Sequence, residues 1–311
     1  MSTTISETLE SAAAAVTRIR KWKARRQAVI LAHNYQIGPV QAAADYTGDS
    51  LELSRLAAKS EAPVLVFAGV SFMAESAKIL SPGKTVLLPE TEAGCPMADT
   101  VTADDLRAAK RQHPRAAVVV YVNSSALVKA EADVCCTSAN AVQIVNALPH
   151  DEVLFVPDKN LADWVARHTD KRVIPWAGSC CTHNHITFKH VEAAQAAHPN
   201  AVFIAHPECR PEVCARAQAV LSTSGMLKYA RTEAAREFIV GTEIGLLHKL
   251  RLENPNKVFH VLDETMICRT MKLTTLSSVA DALEHLKHPI EIPEDVRQRA
   301  ARALEAMHKL L

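Results

Sequence analysis

Three short apolar runs, residues 29–33 (VILAH), 118–122 (VVVYV) and 202–206 (VFIAH), recur along the chain at nearly even intervals. Each is too short for an independent helix and rich in β-branched or aliphatic residues, the pattern of a buried parallel strand. A second set, residues 64–69 (VLVFAG), 153–157 (VLFVP) and 238–242 (FIVGT), follows at similar offsets, and a third reads 85–89 (TVLLP), 172–176 (RVIPW) and 258–262 (VFHVL). Helix-like stretches separate the strands, so each copy reads as βαβ crossovers in a parallel sheet. His113-Pro114 and His198-Pro199 introduce the second and third copies alike, each His eight residues before Tyr121 or His206. A period of roughly 86 residues is the size of a small domain rather than of a solenoid repeat.

The expected architecture is therefore α/β: three similar small parallel-sheet domains arranged with pseudo-threefold symmetry around a central site. Their expected boundaries are 1–110 including an N-terminal helix, 111–197 and 198–285, with a C-terminal helix over 286–311. Leu9, Ala13, Val16 and Arg20 mark the first flanking helix weakly, whereas Val296, Ala300, Leu304, Met307 and Leu311 form a clear stripe in the last. Both are expected to pack on the first domain.

The 311-residue chain is 48% hydrophobic, ample for packed cores, and its 35 basic residues nearly balance 34 acidic ones. No net field recruits a polyanion, which argues against nucleic-acid binding. The start carries no basic stretch followed by an apolar one, and no window is long and apolar enough for a membrane helix. A cytoplasmic protein is expected, with its eight cysteines reduced, because disulfide scaffolds are short and cysteine-dense.

Ligand sites in open parallel sheets lie beyond the carboxyl ends of the strands. There the first run ends in His33-Asn34-Tyr35, the second in Tyr121-Val122-Asn123-Ser124, the third in His206-Pro207-Glu208-Cys209. Ser50, Ser138 and Thr223 stand 17 residues after His33, Tyr121 and His206 respectively. A hydroxyl after a strand commonly caps the next helix. Three at one offset from polar strand ends point further, to a site for carboxylate or phosphate groups.

Cysteines follow the third set of strands. Cys95 and Cys268 stand in such loops, and the middle loop offers Cys180 and Cys181; spacing alone does not choose between them. Three thiolates leave a tetrahedral metal or a cluster one ligand short, where a substrate coordinates. Compact zinc sites draw ligands from close pairs such as C-x2-C, and these three are far apart, so a three-cysteine iron–sulfur cluster with one open iron fits better. Cys135, Cys136 and Cys214 read as buried small hydrophobes.

Taken in order, these segments resemble the quinolinate synthase family over residues 29–276. The resemblance rests on His33-Asn34-Tyr35-Gln36, Gly48-Asp49-Ser50, the segment 94–99 (GCPMAD), Tyr121-Val122-Asn123-Ser124, the W-x-G-x-C-x-x-H stretch from Trp176 to His183, His206-Pro207-Glu208-Cys209, Ser222-Thr223-Ser224-Gly225, and Cys268 followed by Met271-Lys272. It selects Cys180 over Cys181. It implies a 4Fe-4S cluster on Cys95, Cys180 and Cys268 acting as a Lewis acid, and condensation of iminoaspartate with dihydroxyacetone phosphate to quinolinate, with loss of phosphate and two waters.

Within that scheme His33, Ser50, Tyr121, Asn123, Ser138, His206, Glu208 and Thr223 are the expected substrate contacts. Tyr35 and Glu208 are the proton-transfer pair, with His206 assisting and His183 in support. Functional coupling to an aspartate-oxidising enzyme is a further expectation. The competing readings are a redox or iron-sensing protein whose cluster only signals, and a zinc-dependent lyase or aldolase. No thiol switch is expected at Cys268, which stands alone between Ile267 and Arg269.

Overall fold

All nine apolar runs form strands, and three further short ones join them. The strands of the first third are β1 (Ala28–His33), β2 (Tyr46–Gly48), β3 (Val64–Ala68) and β4 (Thr85–Leu87). Those of the second are β5 (Ala117–Tyr121), β6 (Val134–Cys136), β7 (Glu152–Val156) and β8 (Arg172–Pro175). The last are β9 (Val202–Ala205), β10 (Ala219–Val220), β11 (Glu237–Gly241) and β12 (Val258–Val261). This computed structural model describes residues 2–310, with side chains from residue 12 onward, so Leu9 and Leu311 of the expected stripes fall outside the described side chains.

The strands make three four-stranded sheets, ordered β2-β1-β3-β4, β6-β5-β7-β8 and β10-β9-β11-β12. Every pairing is parallel. One topology thus occurs three times. β2, β6 and β10 escape sequence patterning because an edge strand of two or three residues shows no periodicity. The middle strands β3, β5 and β7 bury nearly every side chain, as sheets covered on both faces require.

By its internal contacts the chain divides into two compact units, one of residues 1–94 with 269–292 and the other of residues 95–268 with 293–311. The first unit contains the first sheet. The second contains the other two.

The helices that follow the fourth strands are passed onward. Leu106, on the helix Ala103–Gln112, packs with Val118 and Val120 of β5. Val191, on Phe188–Ala197, packs with Phe203 of β9 and Ile239 of β11. Leu276, Val279 and Leu283, on Leu276–His285, pack with Ile30 of β1 and Val66 of β3. The last of these corrects the expected third boundary: the helix ending at His285 belongs with the first sheet, to which its apolar face is complementary.

The N-terminal helix Ser2–Arg26 packs on the first sheet and on Leu276–His285, as expected, but through another face. Ala15 and Ile19 are buried with Ala12, Val16 and Trp22 beside them, whereas Ala13 and Arg20 are exposed. The final helix Glu294–Lys309 buries Val296, Ala300, Leu304 and Met307 as the stripe implies. It packs on β6 and the helix Ala126–Lys129 of the second sheet, not on the first domain. Ala300, Ala301 and Ala303 allow that close approach, and Arg299 fixes it with an ion pair to Glu131 at 2.9 Å.

Candidate active site around three cysteine loops

Two positions beyond His33, Tyr121 and His206, the repeat places Tyr35, Asn123 and Glu208; with Ser50, Ser138 and Thr223, they form three equivalent sets of three. The hydroxyls are not the helix caps that a bland reading makes them. Ser50 opens the helix Ser50–Lys59, but Asp49 caps it, accepting from the N–H groups of Leu51 and Glu52. Thr223 opens Thr223–Thr232, and Ser222 caps it by accepting from Gly225. Ser138 precedes its helix and meets His206 instead.

In the first unit, the Tyr35 N–H donates to His33 Nδ1 at 3.1 Å, and the two rings meet edge to face at 4.6 Å. Lys272 Nζ donates to the Tyr35 carbonyl, tying this strand end to the segment after the third cysteine loop.

In the second unit, buried polar groups from two sheets converge. The Glu208 N–H donates to His206 Nδ1 at 3.3 Å, which leaves the ring proton on Nε2, 3.2 Å from Ser138 Oγ. Burial holds His206 neutral, its pKa lowered to about 3. His183 Nδ1 lies 3.0 Å from Glu208 Oε2 and 3.2 Å from Cys180 Sγ, and its Nε2 lies 2.9 Å from Thr242 Oγ1. Burial alone would raise the Glu208 carboxyl; His206, His183 and a hydrogen bond from Tyr121 outweigh it and hold the group below the usual carboxylate range. Glu208 Oε1 and Asn123 Oδ1 are buried with no hydrogen-bond partner among the described residues, the condition of groups that receive a ligand.

The cysteine loops adjoin this cluster. Cys95, Cys180 and Cys268 act on one another electrostatically, and Glu208 acts on Cys95 and Cys180. Burial is the main cause that pushes the Cys95 thiol to about 12 and the Cys180 thiol well above its ordinary value. Two such thiols beside a third ionise only against strong positive charge, which a bound metal centre supplies. The ligand atoms of Cys180, His183 and Glu208 lie within 4.8 Å of one another, so these three could hold a single ion.

The remaining cysteines stand apart from this set. Cys181 is exposed, Cys135 and Cys136 lie buried in β6, and Cys209 and Cys214 belong to the core of the third sheet.

The Trp176–His183 segment is shaped by contacts with the first loop. Trp176 Nε1 donates to the Thr100 carbonyl at 3.0 Å. A Cβ on Gly178 would sit 2.3 Å from Thr100 Oγ1 and 2.6 Å from the Pro157 carbonyl, so only glycine fits there. Two cysteine loops are thereby held side by side.

Two buried carboxylates escaped the sequence reading. Asp158 Oδ2 accepts from the Cys180 N–H at 2.9 Å, and Glu243 Oε1 accepts from the Cys268 N–H at 3.1 Å. Burial first, and then the Glu208 charge, raise Asp158 to about 7. A signal existed: each stands two residues past its strand, β7 or β11, and they are 85 apart, as are Tyr121 and His206.

A second gathering, His198, Glu237 and His260, lies around the start of β11, at the end of the sheet opposite the cysteine loops. Its two imidazoles stack 3.5 Å apart and 15° from parallel, and His198 Nδ1 and His260 Nε2 both face Glu237 Oε1, at 3.5 Å and 2.9 Å. In the second sheet the equivalent Glu152 pairs with Arg172 at 3.0 Å. The position is thus a carboxylate with a side-chain partner in both copies.

Among proteins of known family, the model of the Quinolinate synthetase A protein family matches residues 17–309. A quinolinate synthase of Thermodesulfovibrio yellowstonii is 53% identical over 297 residues, 95% of this chain and 98% of the relative. One from Geobacter metallireducens is 54% identical, covering 93% and 95% of the two chains. Quinolinate synthase 1 of Methanosarcina acetivorans is 52% identical, covering 94% and 96%.

Proposed function

The chain belongs to the quinolinate synthase family, enzymes of NAD biosynthesis, and from that premise we propose that it condenses iminoaspartate with dihydroxyacetone phosphate to quinolinate, releasing phosphate and two waters. In this reading Cys95, Cys180 and Cys268 hold a 4Fe-4S cluster. The observation that carries it is the electrostatic convergence of those three thiols, with every other cysteine exposed or in a core. The bound cluster supplies Lewis acidity at the iron that no protein thiolate ligates.

The chain's own residues bind and move protons. Glu208, kept ionised against its burial, serves as a base for the C–H and N–H protons lost during condensation and aromatisation. His206, neutral with its proton on Nε2, donates to Ser138 Oγ without presenting a charge and so leaves the serine O–H to donate to a substrate oxygen. Tyr121, buried and bonded to Glu208, returns a proton to a leaving hydroxyl. Asn123 and Thr223 contact the substrate carboxylates and phosphate. His33, Tyr35 and Ser50 are assigned to the same work by their equivalent places in the repeat, with Tyr35 in proton transfer.

No helix of the described residues is long and apolar enough to cross a membrane. We place the enzyme in the cytoplasm, taking its unstable imine from an aspartate-oxidising enzyme. Anaerobically purified protein is the test: about four irons and four sulfides per chain, as that cluster type implies, with quinolinate formed from the two substrates. Zinc without sulfide would instead favour a single ion on Cys180, His183 and Glu208. Cluster-loaded protein that forms no quinolinate overturns the assignment.

A further inference from the structure

Beyond their strands, Asp158 and Glu243 occupy equivalent places in the second and third sheets, and both are fully buried. Each divides its two oxygens in the same way. Asp158 Oδ1 accepts from the Leu161 N–H at 2.7 Å and caps the helix Lys159–Ala166, while Oδ2 accepts from Cys180 at 2.9 Å. Glu243 Oε2 accepts from the Gly245 N–H at 2.7 Å, while Oε1 accepts from Cys268 at 3.1 Å. One oxygen thus grips the carboxylate's own loop and the other grips the neighbouring cysteine loop. The first repeat lacks the device, since Val70 stands at the corresponding place. There the turn is held from within, by the Asp99 N–H donating to the Cys95 carbonyl at 3.1 Å and by the Met97 and Ala98 N–H groups on the thiol.

A structural carboxylate needs only its capping bond. The second bond, repeated in two copies and aimed each time at the amide of a cysteine in the convergent set, has another use. We propose that Asp158 and Glu243 are positioning residues for the metal centre, each fixing through a backbone N–H the thiolate ligand of one iron, Cys180 and Cys268 respectively. The proposal rests on the cluster reading above. By holding the ligand loops, the two carboxylates keep the thiol geometry set before the cluster arrives and slow loss of iron afterwards; Glu243, as a buried neighbour of the centre, also adds negative potential to it.

The test uses Asp158→Asn and Glu243→Gln in the full chain, reconstituted anaerobically with iron and sulfide. Asparagine still caps the helix through its one carbonyl oxygen but turns an NH2 group toward the Cys180 amide, so cap and clamp are separated. Expected are apoprotein melting curves near wild type, together with iron release to a chelator at least about tenfold faster. The cluster midpoint potential should also rise in Glu243→Gln, where a negative neighbour is removed, a change that a merely structural role would not produce. Should one variant fail to fold, the other decides. Wild-type rates of iron release and an unmoved potential overturn the assignment of these two residues alone. A wild-type chain that takes up no iron and sulfide removes the cluster reading and this proposal with it.

Discussion

His206 Nε2 lies 3.2 Å from Ser138 Oγ, a contact between residues 68 positions apart that joins the carboxyl ends of the second and third sheets. It fixes the ring that burial keeps neutral, with a pKa lowered to about 3. Because the unfolded chain binds this proton near pH 6.5 and the folded one does not, the unfolded state takes up more protons between those values. Stability from this group is therefore complete above about pH 6.5 and falls as pH is lowered toward 3. His206→Gln removes that dependence. Between pH 7.5 and 5 the stability gap between wild type and variant should close by roughly 2 kcal/mol in chemical denaturation; an unchanged gap would show that His206 titrates normally.

The adjacent thiols Cys180 and Cys181 make a sharp pair. Cys180 acts electrostatically on Cys95 and Cys268 and lies 3.2 Å from His183, whereas Cys181 is exposed. Cys180→Ala should abolish iron and sulfide uptake and Cys181→Ala should largely spare it, read from metal counts and the visible spectrum. The reverse result would place the ligand one residue later.

How the helix beginning at Ser50 is capped separates stability from binding. Asp49→Ala removes both bonds to the helix amides and should cost about 1 kcal/mol in unfolding experiments. Ser50→Ala should leave stability within about 0.5 kcal/mol, as a substitution that removes no cap or core contact, and raise KM instead. Loss of stability in Ser50→Ala with unchanged KM would restore the capping role to the serine.

The strand periodicity made the three sheets legible, because a fully buried parallel strand writes its burial as a continuous apolar run. Val64–Ala68 is a clear case. The same logic hid the edge strand Val134–Cys136, whose three residues carry no pattern, and the partner of Leu276–His285, because an apolar helix face says nothing about which sheet it covers. The polar strand ends were legible as chemistry since His, Tyr and Glu at a sheet rim have no packing reason to recur. Asp158 and Glu243 were not read, although they keep the repeat spacing, because a carboxylate after a strand resembles an ordinary cap until its second oxygen is located.

Gly178 supplies the severest steric test of how the loops are held. In Gly178→Ala the new methyl would lie 2.3 Å from Thr100 Oγ1 and 2.6 Å from the Pro157 carbonyl oxygen, and the latter, being backbone, cannot step aside. The loop must move away from Pro157, stretching the Lys159 N–H to Gly178 carbonyl bond, now 2.8 Å, and the Trp176 bond to Thr100. Overpacking of this kind costs about 1–3 kcal/mol. Since the displaced segment carries Cys180 two residues on, cluster retention should fall along with the melting temperature. A Gly178→Ala protein that melts as wild type does and keeps its full iron content would mean that the loops are not pinned at this point.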